Sequence, residues 1–184
     1  LTPTGRGYRR GLNQTIRALA MTKTWLISVS VAAALAGGLA QAAGDPKAGE
    51  AKAGTVCVAC HGPQGNSIVP NWPKLAGQHP EYIYKQLMDF KAGNRANDQM
   101  TPMAAPLTDD EMRNLAAYYA AQTQTGGAAD PAVAALGEKL FRSGNPATGL
   151  PACSGCHGPA GMGVGAAKFP RISGQHADYT KLSL

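Results

Sequence analysis

Apolar residues recur along this chain at helical spacing, and glycine and proline separate the runs. Tyr82, Ile83, Leu87 and Phe90 fall on one stripe, which predicts a helix starting near His79-Pro80 and stopping at Gly93. Upstream, Asp45-Pro46 pairs a capping side chain with proline at the first helical position, so a helix is expected to run toward Cys57 and end at Gly62. Thr108-Asp109-Asp110-Glu111 reads as a capping box ahead of Met112, Leu115, Ala116 and Tyr119, and predicts a helix through about Gln122. Asp130-Pro131 then restarts the pattern, with a helix to about Arg142 and a glycine- and proline-rich loop before Cys153. No alternating pair of strands stands out, so the expected class is all-α.

The pattern restarts because the chain repeats itself. "CVACHG" at 57–62 returns as "CSGCHG" at 153–158, 96 positions on, and "PKLAGQHPEY" at 73–82 returns as "PRISGQHADY" at 170–179, 97 positions on. Repeats of this length imply two copies of one small helical domain. The expected boundaries are 43–122 for the first domain, 123–130 for a flexible linker ("TQTGGAAD") and 131–184 for the second.

Charge changes the picture at the N-terminus only. Five of the 17 basic residues precede Gly44, where no acidic residue lies; from Gly44 on, 12 basic residues face 11 acidic ones. The net charge of +6 therefore gives no support to nucleic-acid binding. From Met21, a basic residue at Lys23, an apolar run from Trp25 to Ala36 and the small-residue end Ala40-Gln41-Ala42 read as a cleavable signal peptide at 21–42. Residues 1–20 read as a non-native or untranslated leader.

All four cysteines lie in the two Cys-x-x-Cys-His pentapeptides. A thioredoxin-like dithiol would sit near a βαβ unit, which the pattern lacks. A zinc ion shared by both pairs would leave the two histidines unused. Covalent c-type haem uses every part. Two cysteines three apart on a helical turn can both bond one macrocycle edge, and the next residue, histidine, is brought beneath the ring plane to reach the iron. The site residues expected are Cys57, Cys60 and His61 for one haem, and Cys153, Cys156 and His157 for the other.

The sixth ligand sets the use of the iron, since methionine opposite histidine suits electron transfer. Met21 reads as an initiator, Met88 is placed on the apolar side of the second helix, Met112 lies on the third, and Met162 is too near His157. Met100 and Met103 remain, both expected in the loop between helices. Pro73 and Pro170 follow the two haem motifs at similar distance. Trp72 is a candidate for packing on the first haem. Tyr118, Tyr119, Gly62 and Gly158 read as structural, and His79 and His176 as turn positions, although His176 could in principle supply a nitrogen to the second iron.

These blocks, from "AGDPKAGEAKA" through "NDQMTPMAAPLTDDEM" to "FPRISGQHADYTK", resemble the class I cytochromes c, specifically the dihaem cytochrome c4 family. The resemblance implies two covalently attached haem c groups, with iron held by His61, Met100 and His157. Met100 rather than Met103 matches the family's axial methionine. The resemblance also suggests that the backbone at Pro73 and Pro170 packs against the proximal histidines and fixes their tautomers through carbonyl hydrogen bonds. It also implies two cytochrome c-like domains facing each other, with the haem propionates near their interface. The position matching Met100 in the second repeat would fall at about residue 197, past Leu184. The second domain is therefore expected to be incomplete, with its sixth ligand beyond the chain. The implied role is a periplasmic carrier of single electrons, possessing no catalytic residue. Donors would be a quinol-oxidising cytochrome complex or dehydrogenase and the acceptor a terminal oxidase, with loose membrane association allowed. A dihaem electron-accepting subunit of a flavocytochrome c sulfide dehydrogenase, or a dihaem peroxidase, is the rival expectation.

Overall fold

The structure is a computed structural model that describes residues 44–184. The leader and signal-peptide readings of 1–20 and 21–42 lie outside the described residues. The described chain is helical, and its nearest approach to a sheet is two isolated bridges, Asn145 with Leu150 and Val164 with Phe169. The expected all-α class is what is seen.

Helix α1 spans Pro46–Lys52, and the Asp45 side chain accepts from the Lys47 N–H at 2.9 Å. Helix α2, Val58–His61, follows through a wider π-helical turn at Ala53–Cys57. Helix α3 is Pro80–Ala92, α4 is Met100–Ala104 and α5 is Asp109–Ala120. The capping box at α5 is present in both directions, with Glu111 N–H on Thr108 Oγ1 at 3.2 Å and Thr108 N–H on Glu111 Oε2 at 2.9 Å. In the second repeat come α6, Pro131–Ser143, α7, Ser154–His157, and α8, Ala177–Leu182. Among the described residues, no helix is long and apolar enough to cross a membrane.

The first repeat is built on α1 crossing α5, with α3 against the other side of α5. Ala53, Ile83, Leu107, Met112, Leu115, Ala116 and Tyr119 form the buried cluster between them. Gly49 sits at the crossing: a Cβ built there would stand 2.1 Å from the Asn114 carbonyl oxygen. Backbone cannot yield as a flexible side chain can. Gly49→Ala is therefore expected to cost about 1–3 kcal/mol, the usual range for overpacking, measured as a lower midpoint of thermal unfolding. An unchanged midpoint would mean that α1 and α5 do not meet this closely.

Two readings are corrected here. Met88 is 38% exposed, not on the apolar side of its helix: at about 100° per residue it lies about 140° round from Ile83, while Leu87 and Phe90 stay within about 40°. The linker is not free along its whole length. Asn66 donates to the Thr123 carbonyl (3.0 Å) and accepts from the Thr125 N–H (2.7 Å), and Lys74 Nζ donates to the Thr125 carbonyl (2.7 Å). Residues 123–125 are thus laid onto the first repeat by the half-buried Asn66 and the buried Lys74, partners that composition does not reveal.

The repeated Gly-Gln-His segments meet one another. Gln78 donates to the Arg171 carbonyl (2.9 Å) and accepts from the Arg171 N–H (2.8 Å). Its counterpart Gln175 does the same to Lys74, at 2.9 Å both ways. His79 Nε2 lies 2.8 Å from the Met162 carbonyl, and His176 Nε2 lies 2.8 Å from the Ser67 carbonyl. Because a carbonyl only accepts, both ring nitrogens carry the proton. The turn-position reading of the two histidines is correct, since each immediately precedes a helix, but they also join the repeats. With its Nε2–H committed to Ser67, that nitrogen of His176 is not available to a metal.

Candidate functional site

The π-helical turn and α2 present Cys57, Cys60 and His61 in succession. Gly62 then turns the chain away at φ +72°, where a Cβ would stand 2.7 Å from the Asn66 carbonyl oxygen. His61 is 7% exposed, and its Nδ1 lies 2.9 Å from the Pro73 carbonyl. That oxygen can only accept, so Nδ1 holds the proton and Nε2 keeps its lone pair for a metal. Burial lowers the imidazole's pKa, partly offset by the Pro73 carbonyl, and so favours the neutral ligand form. Cys57 is half-buried and Cys60 exposed. Burial raises the Cys57 thiol's pKa.

These residues line a single cleft, about 1250 Å³ with the open space at its mouth included. Leu75, Ile83, Leu87, Leu107 and Leu115 contribute to its apolar lining, and Tyr82, Gln86, Arg95 and Tyr179 to its polar lining, where Arg95 bonds both Gln86 and Tyr179. Met100, Met103 and Trp72 line it as well. A flat apolar macrocycle carrying two carboxylates matches this division, and two thiols, an imidazole and a thioether match its covalent and iron-binding needs.

Met100 and Met103 are not in an open loop as expected; they lie on α4. The Asn97 side-chain oxygen accepts from the N–H groups of Gln99 (3.1 Å) and Met100 (2.8 Å), which starts the helix, and Pro102 falls within the first turn, where it is tolerated. Met100 is half-buried, while Met103 is 42% exposed.

In the second repeat, Cys153, Cys156 and His157 recur on and beside α7. His157 Nδ1 lies 2.8 Å from the Pro170 carbonyl, the same bond that His61 makes with Pro73. The Phe169 ring stands 6.2 Å from the imidazole. The sequence reading of both prolines thus has its geometric counterpart. Among the described residues, no three His, Cys, Asp or Glu side chains converge as a metal cluster, so the two cysteine pairs do not come together as zinc ligands.

Reading the sequence missed Arg95 and Tyr179, which line the first cleft. Tyr179 belongs to the second repeat, and its alignment with Tyr82 was the available signal. Tyr119, read only as structural, belongs to the buried cluster against which Cys57 packs, and it also lines the cleft.

An all-helical chain with two such attachment sites is a dihaem c-type cytochrome, with haem c covalently bound at Cys57/Cys60 and at Cys153/Cys156. The Cytochrome c family model matches residues 46–121. Cytochrome c4 of Thiocapsa roseopersicina is 73% identical over 142 residues, spanning 77% of this chain and 73% of that protein. The crystal structure of reduced recombinant cytochrome c4 from Pseudomonas stutzeri superposes with a TM-score of 0.73 at 49% identity, covering 77% of this chain and 78% of that one. The chain belongs to the cytochrome c4 family. A thiosulfate dehydrogenase electron acceptor from Stutzerimonas stutzeri (strain A1501) is 41% identical over 157 residues, covering 81% of this chain and 72% of that one. The protein is an electron-transfer protein, not an enzyme, and its partners are redox proteins.

Proposed function

We propose that this cytochrome is periplasmic and passes single electrons between a respiratory donor and a terminal acceptor, with His61 and Met100 as axial ligands of the first iron and His157 as a ligand of the second. The observation that carries this reading is the convergence of both thiols, a histidine with its Nδ1 proton fixed, and a half-buried methionine on one cleft. Haem c, when bound, supplies the one-electron iron couple.

The chain's own residues position, shield and expose. Pro73 fixes the His61 tautomer and ring orientation. The leucines of the cleft and Ile83 exclude water from the apolar side. Cys60, Val56 and Met103 stay exposed at the mouth, which leaves an edge where a partner can approach. Release into the periplasm follows from the signal-peptide reading of residues 21–42.

Replacing Cys57 and Cys60 together by alanine is expected to reduce covalently bound haem from two groups to one. Haem staining of a denaturing gel and the intact mass would read this. Two adducts surviving in that variant would refute the assignment. A donor of the dehydrogenase type is a second reading for the partner, favoured by the relative whose name is a thiosulfate dehydrogenase electron acceptor. Stopped-flow reduction by a thiosulfate dehydrogenase, set against reduction by a quinol-oxidising complex, distinguishes the two donors by rate.

A further inference from the structure

The bonds from the two proximal histidines to proline carbonyls are parts of longer chains. The Pro73 carbonyl, which accepts from His61 Nδ1 at 2.9 Å, belongs to the same peptide unit as the Lys74 N–H, and that N–H donates to Gln175 Oε1 at 2.9 Å. In the second repeat the Pro170 carbonyl accepts from His157 Nδ1 at 2.8 Å. The other end of that peptide, the Arg171 N–H, donates to Gln78 Oε1 at 2.8 Å. Each chain therefore runs from imidazole through peptide to glutamine amide, and each ends on the opposite repeat.

The amides at the ends of these chains are held fast. Gln175 Oε1 also accepts from the backbone N–H of His176, and Gln78 Oε1 from that of His79, both at 3.0 Å. Nε2 of each donates to the carbonyl of Lys74 or Arg171 at 2.9 Å. With two N–H groups on the oxygen and a carbonyl on the nitrogen, each amide has one admissible orientation. His61, Lys74 and Gln78 are buried, and away from water linked hydrogen bonds polarise one another. An acceptor on the peptide N–H leaves more negative charge on the carbonyl at the peptide's other end. That carbonyl then draws harder on the Nδ1 proton and enriches the lone pair on Nε2.

We propose that the tuning is crossed: Gln175 acts on His61 and Gln78 on His157, each glutamine strengthening, through the shared peptide, the axial histidine of the other repeat and so lowering that repeat's reduction potential. The inference rests on the axial-histidine reading and goes beyond it. A stronger imidazole donor stabilises ferric over ferrous iron. Neither glutamine bonds to His61 or His157, so both are positioning residues. The repeated Gly-Gln-His segment thereby does more than join the repeats, because it makes each iron sensitive to whether the other repeat is in place.

The test uses NMR of the ferrous dihaem protein, the intact mass confirming two adducts in each variant. An NOE to the Phe169 ring, which stands 6.2 Å from the His157 imidazole, identifies the His157 Nδ1–H signal. Gln175→Leu should move the His61 Nδ1 proton upfield and leave that of His157 in place, and Gln78→Leu should do the reverse. Spectroelectrochemical titration should follow the same crossed pattern. In Gln175→Leu the wave that Met100→Ala lowers should rise, the ferric-to-ferrous ratio at fixed potential falling about threefold, or about 28 mV at about 59 mV per tenfold. Gln175→Glu separates polarisation from a loosened seam. At about pH 8 its carboxylate is charged and accepts from the Lys74 N–H more strongly than an amide does. The His61 proton should therefore move downfield, whereas a seam merely parted would send it upfield as leucine does. Equal displacement of both histidines in a leucine variant that melts in one transition, an upfield shift in Gln175→Glu, or no displacement in any variant would overturn the proposal. A parent protein whose Nδ1–H signals lack the ring-current displacement of a porphyrin's axial ligand would instead overturn the reading beneath it.

Discussion

Met100→Ala should lower the reduction potential of the first haem by on the order of 0.2 V, a fraction of the roughly 0.8 V range over which axial ligands set haem potentials. A thioether is a soft, neutral ligand that favours ferrous over ferric iron, and it fills the coordination sphere so that the iron stays low-spin. Alanine leaves that position to water or hydroxide, which favour the ferric state. The ferric protein should then show a high-spin contribution and lose the methionine-linked absorption of the first haem at the red end of the visible spectrum. Met103→Ala is the control. Met103 lines the same cleft and lies three residues along the same short helix, but it is 42% exposed, so its loss should move the potential little. If the Met103 variant carries the drop and the Met100 variant does not, the two methionines exchange roles.

What could be read from the sequence was local. Asp45-Pro46, Thr108 with Glu111, and Asp130-Pro131 mark helix starts because each satisfies orphan N–H groups with side chains one to three residues away. The haem attachment pattern is legible for the same reason: sulfur, sulfur and imidazole are set by the first, fourth and fifth positions of one five-residue stretch. The carbonyl bonds from Pro73 and Pro170 came within reach through the family resemblance, both prolines trailing their histidines by nearly equal intervals, 12 and 13 residues.

Features that depend on where the two repeats meet were not legible. Nothing near Tyr179 in the chain announces that its hydroxyl will face Arg95, 84 positions earlier. The segment 123–125 has the composition of a loose tether, yet Asn66 and Lys74 hold it. Met88 was misplaced because a methionine beside a leucine looks apolar by type, whereas its angular position turns it to solvent.

The second large effect concerns the seam between the repeats, where Gln78→Ala combined with Gln175→Ala should uncouple them. Each glutamine amide uses both of its ends on one residue of the other repeat, donating to its carbonyl and accepting from its N–H. Truncating both removes these four bonds across the seam, together with those from the His79 and His176 N–H groups to the same amide oxygens, and strands the backbone groups of Lys74, which is 7% exposed, and of Arg171. At about 1–3 kcal/mol for each buried group left unpaired, with water reaching the half-buried Arg171 end, the loss is on the order of 5 kcal/mol. Domain interfaces of this polar kind hold by few contacts, so calorimetry of the dihaem protein should resolve two transitions in the double variant where the parent shows one. Gln78→Glu separates bonding from bulk. The carboxylate matches the amide in size but has no N–H to offer Arg171, and it sets an oxygen against that carbonyl instead. It should destabilise the seam nearly as much as Gln78→Ala, despite filling the same space. A Glu variant that melts like the parent would mean that packing, rather than the paired amide bonds, holds the two repeats together.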